Sequence, residues 1–154
     1  LHDALPIWAK SVDGVGDAKC LPLWNGAGTV KVIIVDSEKQ LAGSELINKV
    51  QSYIDEQCPI GADVTVTTAT AVSINVTFSA DVDESTIESI KSNIRSYLRD
   101  VSFANGYVSY AKIGQTILNT DGVDDYSNLK VNSKTENIAI SETEIAVLGG
   151  VAVG

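Results

Sequence analysis

The side chains best suited to covalent chemistry are few and scattered. The chain has one histidine, His2, and two cysteines, Cys20 and Cys58, among 154 residues. A serine or cysteine nucleophile normally needs a base within hydrogen-bond reach, and the single histidine stands at the second position. The two cysteines are far apart and form no CxxC, and one histidine cannot complete a zinc site. No export signal is visible, so both are expected as free thiols. Twenty acidic residues offer many carboxylates, but no pair is singled out for general acid–base work.

Two acidic clusters invite a calcium reading. Asp81-Val82-Asp83-Glu84-Ser85 lacks the mid-loop glycine, and Asp121-Gly122-Val123-Asp124-Asp125 lacks a closing glutamate. Negative charge ahead of a helix complements its dipole, which accounts for the first cluster. Gly26-Ala27-Gly28 resembles part of a phosphate loop, but it precedes a strand and opens no helix. The sequon Asn75-Val76-Thr77 falls inside an expected strand. The expectation is therefore no catalytic residue, no cofactor-binding residue, no metal ligand and no cofactor. The chain is not expected to be an enzyme.

Aromatic residues remain as recognition elements. Trp24 lies beside a turn, and Tyr107 and Tyr110 flank the approach to a helix. Exposed aromatics at such places anchor protein interfaces, so these three are the candidate interface residues, although packing into the core is the simpler expectation for each. Tyr53 and Tyr97 fall on or beside helical apolar stripes and read as core. The net charge of −9 disfavours phosphate backbones and anionic membrane surfaces as partners. No apolar run reaches the length of a membrane span.

The elements that must position these residues follow from periodicity. Val12 to Asp36 reads as a β-hairpin around Asn25-Gly26-Ala27-Gly28. Alternate apolar positions at Val30, Val32 and Ile34, with Ile33 and Val35 between them, predict a strand covered on both faces. SELINKVQSYIDEQ is an amphipathic helix capped by Ser44 and ended by Pro59 and Gly61. From Val64 to Phe78 a period of two persists over fifteen residues, too long for one strand of a small domain. It is expected to bend or break near Thr68–Ala71 and to serve two sheets. Ile87, Ile90, Ile94, Leu98 and Val101 mark a second helix, with Ser85 and Glu88 as a capping box. Asn105-Gly106 makes a turn. A third helix covers SYAKIGQTILNT with Ile113, Ile117 and Leu118 inward. VDDYSNLKVN, ENIAIS and EIAVLGGVAV are strands, the last two joined by a turn at Ser141–Glu144.

The fold class is α+β, with two small modules, each laying helices on one face of a mostly antiparallel sheet, linked by a long strand. Residues 8–69 form a β-β-α-β module and 70–154 a β-α-α-β-β-β module. The first seven residues, LHDALPI, resemble one translated frame of a sequencing adapter. They are expected to be a non-native tail that takes no part in packing.

The stretch VDGVGDAKCLPLWNGAGTVKV resembles the baseplate J-like family of contractile phage tails. YIDEQCPIGADVTV, YLRDVSFANGYVSYAKIGQTIL, GVDDYSNLKVN and NIAISETEIAVLG continue the likeness in order. The resemblance covers the middle and C-terminal portions of the family. It implies a structural virion protein in the tail baseplate, assembled in the bacterial cytoplasm. The implied partners are other baseplate and tail proteins, with self-association in a sixfold ring by the full-length protein. A phage-derived injection machine is the alternative, and a small-molecule-binding module a more distant one. The family implies no catalytic residue.

Overall fold

Helix α1 (Ala4–Ser11) places Leu5 and Ala9 one turn apart on one face, and both are fully buried. The computed structural model describes residues 4–22, 24–58, 62–104 and 106–154. It divides into two units, Leu1–Thr70 and Ala71–Gly154.

In the first unit, β1 (Val15–Pro22) and β2 (Thr29–Asp36) form an antiparallel hairpin. Helix α2 (Ser44–Gln57) then carries the chain to β3 (Asp63–Thr68), which lies parallel to β2. The sheet order is β1-β2-β3, so β2 is central and β3 is an edge. Val30, Val32 and Ile34 pack with Val50 and Ile54 of α2 and with Val64 and Val66 of β3. Ile33 and Val35 are buried as well, so β2 is covered along both faces as its continuous apolar run predicts. A bulge falls between Val15 and Asp17, where a Cβ on Gly16 would strike the Asp36 backbone. Only glycine allows that approach.

Two expectations for this unit are corrected. Leu5 sits in the same core as Val32 and Ile34, with Trp8 packed against it. The opening residues from Ala4 therefore contribute to packing, because Leu5 and Ala9 give α1 an apolar face. Residues 1–3, including His2, lie outside the described residues, as do Pro59 and Gly61. Ser44 does not cap α2. Gly43 is the N-cap, without a side-chain bond, and Ser44 is the first helical residue.

The long alternating run breaks at Ala69. Its N–H still donates to the Ile34 carbonyl oxygen at 3.2 Å, and the chain re-enters a strand at Thr70. In the second unit, β4 (Thr70–Ser79) lies between β6 (Ser127–Val131) and β8 (Glu144–Val153). Helices α3 (Glu84–Val101) and α4 (Tyr110–Leu118) share a core with this sheet. Ile90, Ile94 and Leu98 of α3 and Ile113 and Ile117 of α4 pack with Ile74, Val76 and Phe78. The inward residues of β8, Ala146 and Leu148 and then Val151 and Val153, change parity across Gly149–Gly150.

Here too the structure corrects details. Asp83, not Ser85, caps α3: its carboxylate accepts the Thr86 N–H at 2.8 Å. Its backbone is extended, as an N-cap requires, whereas Ser85 is already helical. Leu118 is 45% exposed, because it lies about 100° around the helix from Ile117 and leaves the stripe. The ENIAIS strand shortens to β7 (Ile138–Ala139), which pairs with the unanticipated β5 (Tyr107–Val108). Asn105 of the expected turn lies outside the described residues.

Candidate functional site

The hairpin tip presents the first candidate. Gly26 and Gly28 have φ of 101° and 79°, which lets the chain reverse tightly. Thr29 locks the turn: its hydroxyl donates to the Gly26 carbonyl oxygen at 2.7 Å and accepts the Asn25 N–H at 3.1 Å. Trp24 is thereby held outward, 44% exposed. Lys31 Nζ lies 5.0 Å from the centroid of its ring, a cation–π contact that fixes the indole and leaves a positive rim.

In the second unit, Tyr107 is 47% exposed on β5. Tyr110 is placed differently. Its phenol donates to the Leu129 carbonyl oxygen at 2.7 Å and its ring packs on the core, so it serves as a tie between α4 and β6. Tyr97 and Tyr53 also pack on their cores, and Tyr97 Oη accepts the Ser109 N–H at 3.0 Å.

No chemical constellation assembles from the remaining polar groups that are described. Among the described residues, no three His, Cys, Asp or Glu side chains come together as a metal site. Cys20 and Cys58 are free, and burial pushes both thiols up, away from the reactive thiolate. Asp83 is held below the usual carboxylate range by the Thr86 N–H, the bond that caps α3. Glu144 is likewise lowered by the Ser141 N–H, which donates to its carboxylate at 2.8 Å in the turn before β8. Both shifts belong to local turn and cap structure.

The concavities match this. A cavity of about 10 Å³ lies between Leu98, Ser102, Val108 and Ala146, room for about one water molecule. Ser102 Oγ is buried there without a hydrogen-bond partner. Grooves near Val12 and Tyr53, of about 260 Å³, and near Phe78 and Lys130, of about 380 Å³, are open to solvent.

One polar device was not foreseen from the sequence. The Gln51 carboxamide reaches from α2 to the edge of β3, donating to the Val64 carbonyl oxygen at 2.9 Å and accepting the Val66 N–H at 2.8 Å. Asn132 does the same beside β4: it accepts the Asn75 N–H at 2.8 Å and donates to the Ser73 carbonyl oxygen at 3.1 Å. The only sequence signal at Gln51 is an amide on the flank of the Val50–Ile54 stripe.

Comparison with known proteins resolves the class. The central domain of baseplate J-like proteins matches residues 3–68, and their C-terminal domain matches 70–154. The chain belongs to the baseplate J-like family. Two Bacillus subtilis (strain 168) proteins are similar to this baseplate J-like chain. The phage-like element PBSX protein XkdT is 37% identical over 159 residues, covering 95% of this chain and 45% of that protein. The uncharacterized protein YqbT is 38% identical over 160 residues, with the same two coverages of 95% and 45%. The baseplate J-like chain thus spans about half the length of these relatives. Its fold is similar to a chain in the cryo-EM structure of the anti-feeding prophage baseplate, 6-fold symmetrised. That likeness has a TM-score of 0.73 at 7% identity, over 96% of this chain and 37% of the other.

Proposed function

We propose that the chain is the central and C-terminal part of a structural subunit in a contractile phage or prophage tail baseplate. It holds other baseplate and tail proteins in place, and no bond is made or broken on it. The observation that carries this reading is the ordered pair of family domains over residues 3–68 and 70–154. In the full-length protein the subunit associates with itself in a sixfold ring at the end of the tail tube, after synthesis in the host cytoplasm. Trp24 and Tyr107, exposed aromatics on separate units, are proposed contacts with neighbouring proteins. Tyr110 contributes through the position of α4.

A phage-derived injection apparatus is the second reading; the fold shared with a chain of the anti-feeding prophage baseplate is the observation on its side. Immunogold electron microscopy of particles released from cells carrying the gene separates the two. Gold at the tail tip of headed particles supports a virion baseplate, and gold at one end of headless tails supports the second reading. Label found only on soluble protein, with particles present and unlabelled, overturns both.

A further inference from the structure

The edge of β3 is occupied by a side chain of its own unit. Asp63 N–H donates to the Gly28 carbonyl oxygen at 3.3 Å, and Ala69 N–H to that of Ile34 at 3.2 Å. Strand groups alternate sides, so odd-numbered residues of β3 turn their N–H and C=O toward β2. The backbone groups of Val64, Val66 and Thr68 therefore point away from the sheet, along its free edge. A carboxamide carries one acceptor and one amino donor group side by side, as a peptide group does. Gln51 uses both on successive outward-facing residues, in the place where a fourth strand would add. Asp55, one turn along α2, accepts from the same Nε2 at 2.9 Å. A carboxylate cannot donate, so it fixes which end of the amide faces Val64. At the far end of the strand, Thr68 Oγ1 accepts the Ala42 N–H at 2.8 Å.

We infer that Gln51 is an edge guard: its carboxamide occupies two strand-pairing groups at the middle of the β3 edge, the Val64 carbonyl and the Val66 N–H, and keeps that edge from pairing with β3 of a second copy. The segment DVTVTT is rich in β-branched residues, the composition that favours strands. An edge of this kind, left open, is a template for intermolecular pairing. The net charge of −9 separates copies at long range, but β3 carries only Asp63, at its first position. The identical chain is the partner every other molecule in solution can supply, with the same strand in the same state.

The test compares the intact chain with Gln51→Ala and Gln51→Asn. Asparagine keeps the amide but is one methylene too short to reach the edge, and it serves where alanine perturbs folding. Amide hydrogen exchange by NMR is expected to show Val66 protected in the parent and at least about tenfold faster in either variant, with Thr65 and Thr67 little changed. Light scattering after size exclusion, at matched high concentration, is expected to show larger species for the variants than for the parent. Variants with native circular dichroism and the parent's mass overturn the inference, and so does a Val66 amide unprotected in the parent.

Discussion

Gly114, in the interior of α4, lies beneath the phenol of Tyr126, close enough that a Cβ there would meet the Tyr126 hydroxyl. Tyr126 in turn stands edge-on to Phe78, with ring centroids 6.3 Å apart and planes at 77°. A helix-interior glycine costs about 1 kcal/mol relative to alanine, so the ring above it gives the residue its reason. Gly114→Ala is expected to destabilise by about 1–2 kcal/mol, because overpacking outweighs the gain in propensity. In a Tyr126→Ala background the sign should reverse, to a stabilisation of about 0.5–1 kcal/mol. Urea unfolding of the four proteins gives the cycle, and a loss of equal size in both backgrounds would refute the contact.

Leu5 is fully buried beside Val32 and Ile34. Leu5→Ala should cost about 2–5 kcal/mol, the range for a truncated core leucine. Deleting residues 1–7 should lower the melting temperature by many degrees. Trp8 packs against the same core, so its fluorescence reports this unit during denaturation. Unchanged unfolding midpoints for both variants would show that α1 adds nothing to the fold.

Ile94 has no exposed surface and lies in the stripe between Ile90 and Leu98. Ile94→Asp places a carboxylate among Ile74, Val76 and Phe78, where burial of an unpaired charge costs several kcal/mol. The second unit should unfold at neutral pH, read by loss of dispersed methyl signals. A spectrum like the parent's would mean that another face of α3 packs inward.

The Asp83 cap predicts an acid limb. Hydrogen bonds from Thr86 and Ser85 favour the carboxylate, so the folded state holds its proton less readily than the unfolded chain does. Its contribution is complete above the ordinary aspartate range, near pH 4, and is lost as pH falls through the lower folded value. Asparagine can accept from the Thr86 N–H without titrating. Melting temperatures of Asp83→Asn measured from neutral pH downward should fall less steeply below about pH 4 than those of the parent. Parallel curves would remove Asp83 as the cause.

By itself the sequence determined the repeating elements and their inward residues. Ser44–Gln57 and Glu144–Val153 have the expected bounds, and Ile90, Ile94 and Leu98 are buried as their spacing requires, because burial of an apolar stripe is a local pattern repeated along the chain. The break of the long alternating run was legible for the same reason: a strand of that length does not fit a small sheet. Only the tertiary structure decided what depends on partners distant in sequence. The burial of Leu5, the pairing of β5 with β7, the phenol over Gly114 and the carboxamide of Gln51 on the β3 edge each join segments whose proximity no periodicity records. The exposure of Trp24 and Tyr107 and the inward tie of Tyr110 belong to this second group, since an aromatic near a turn packs or projects according to what the fold brings beside it.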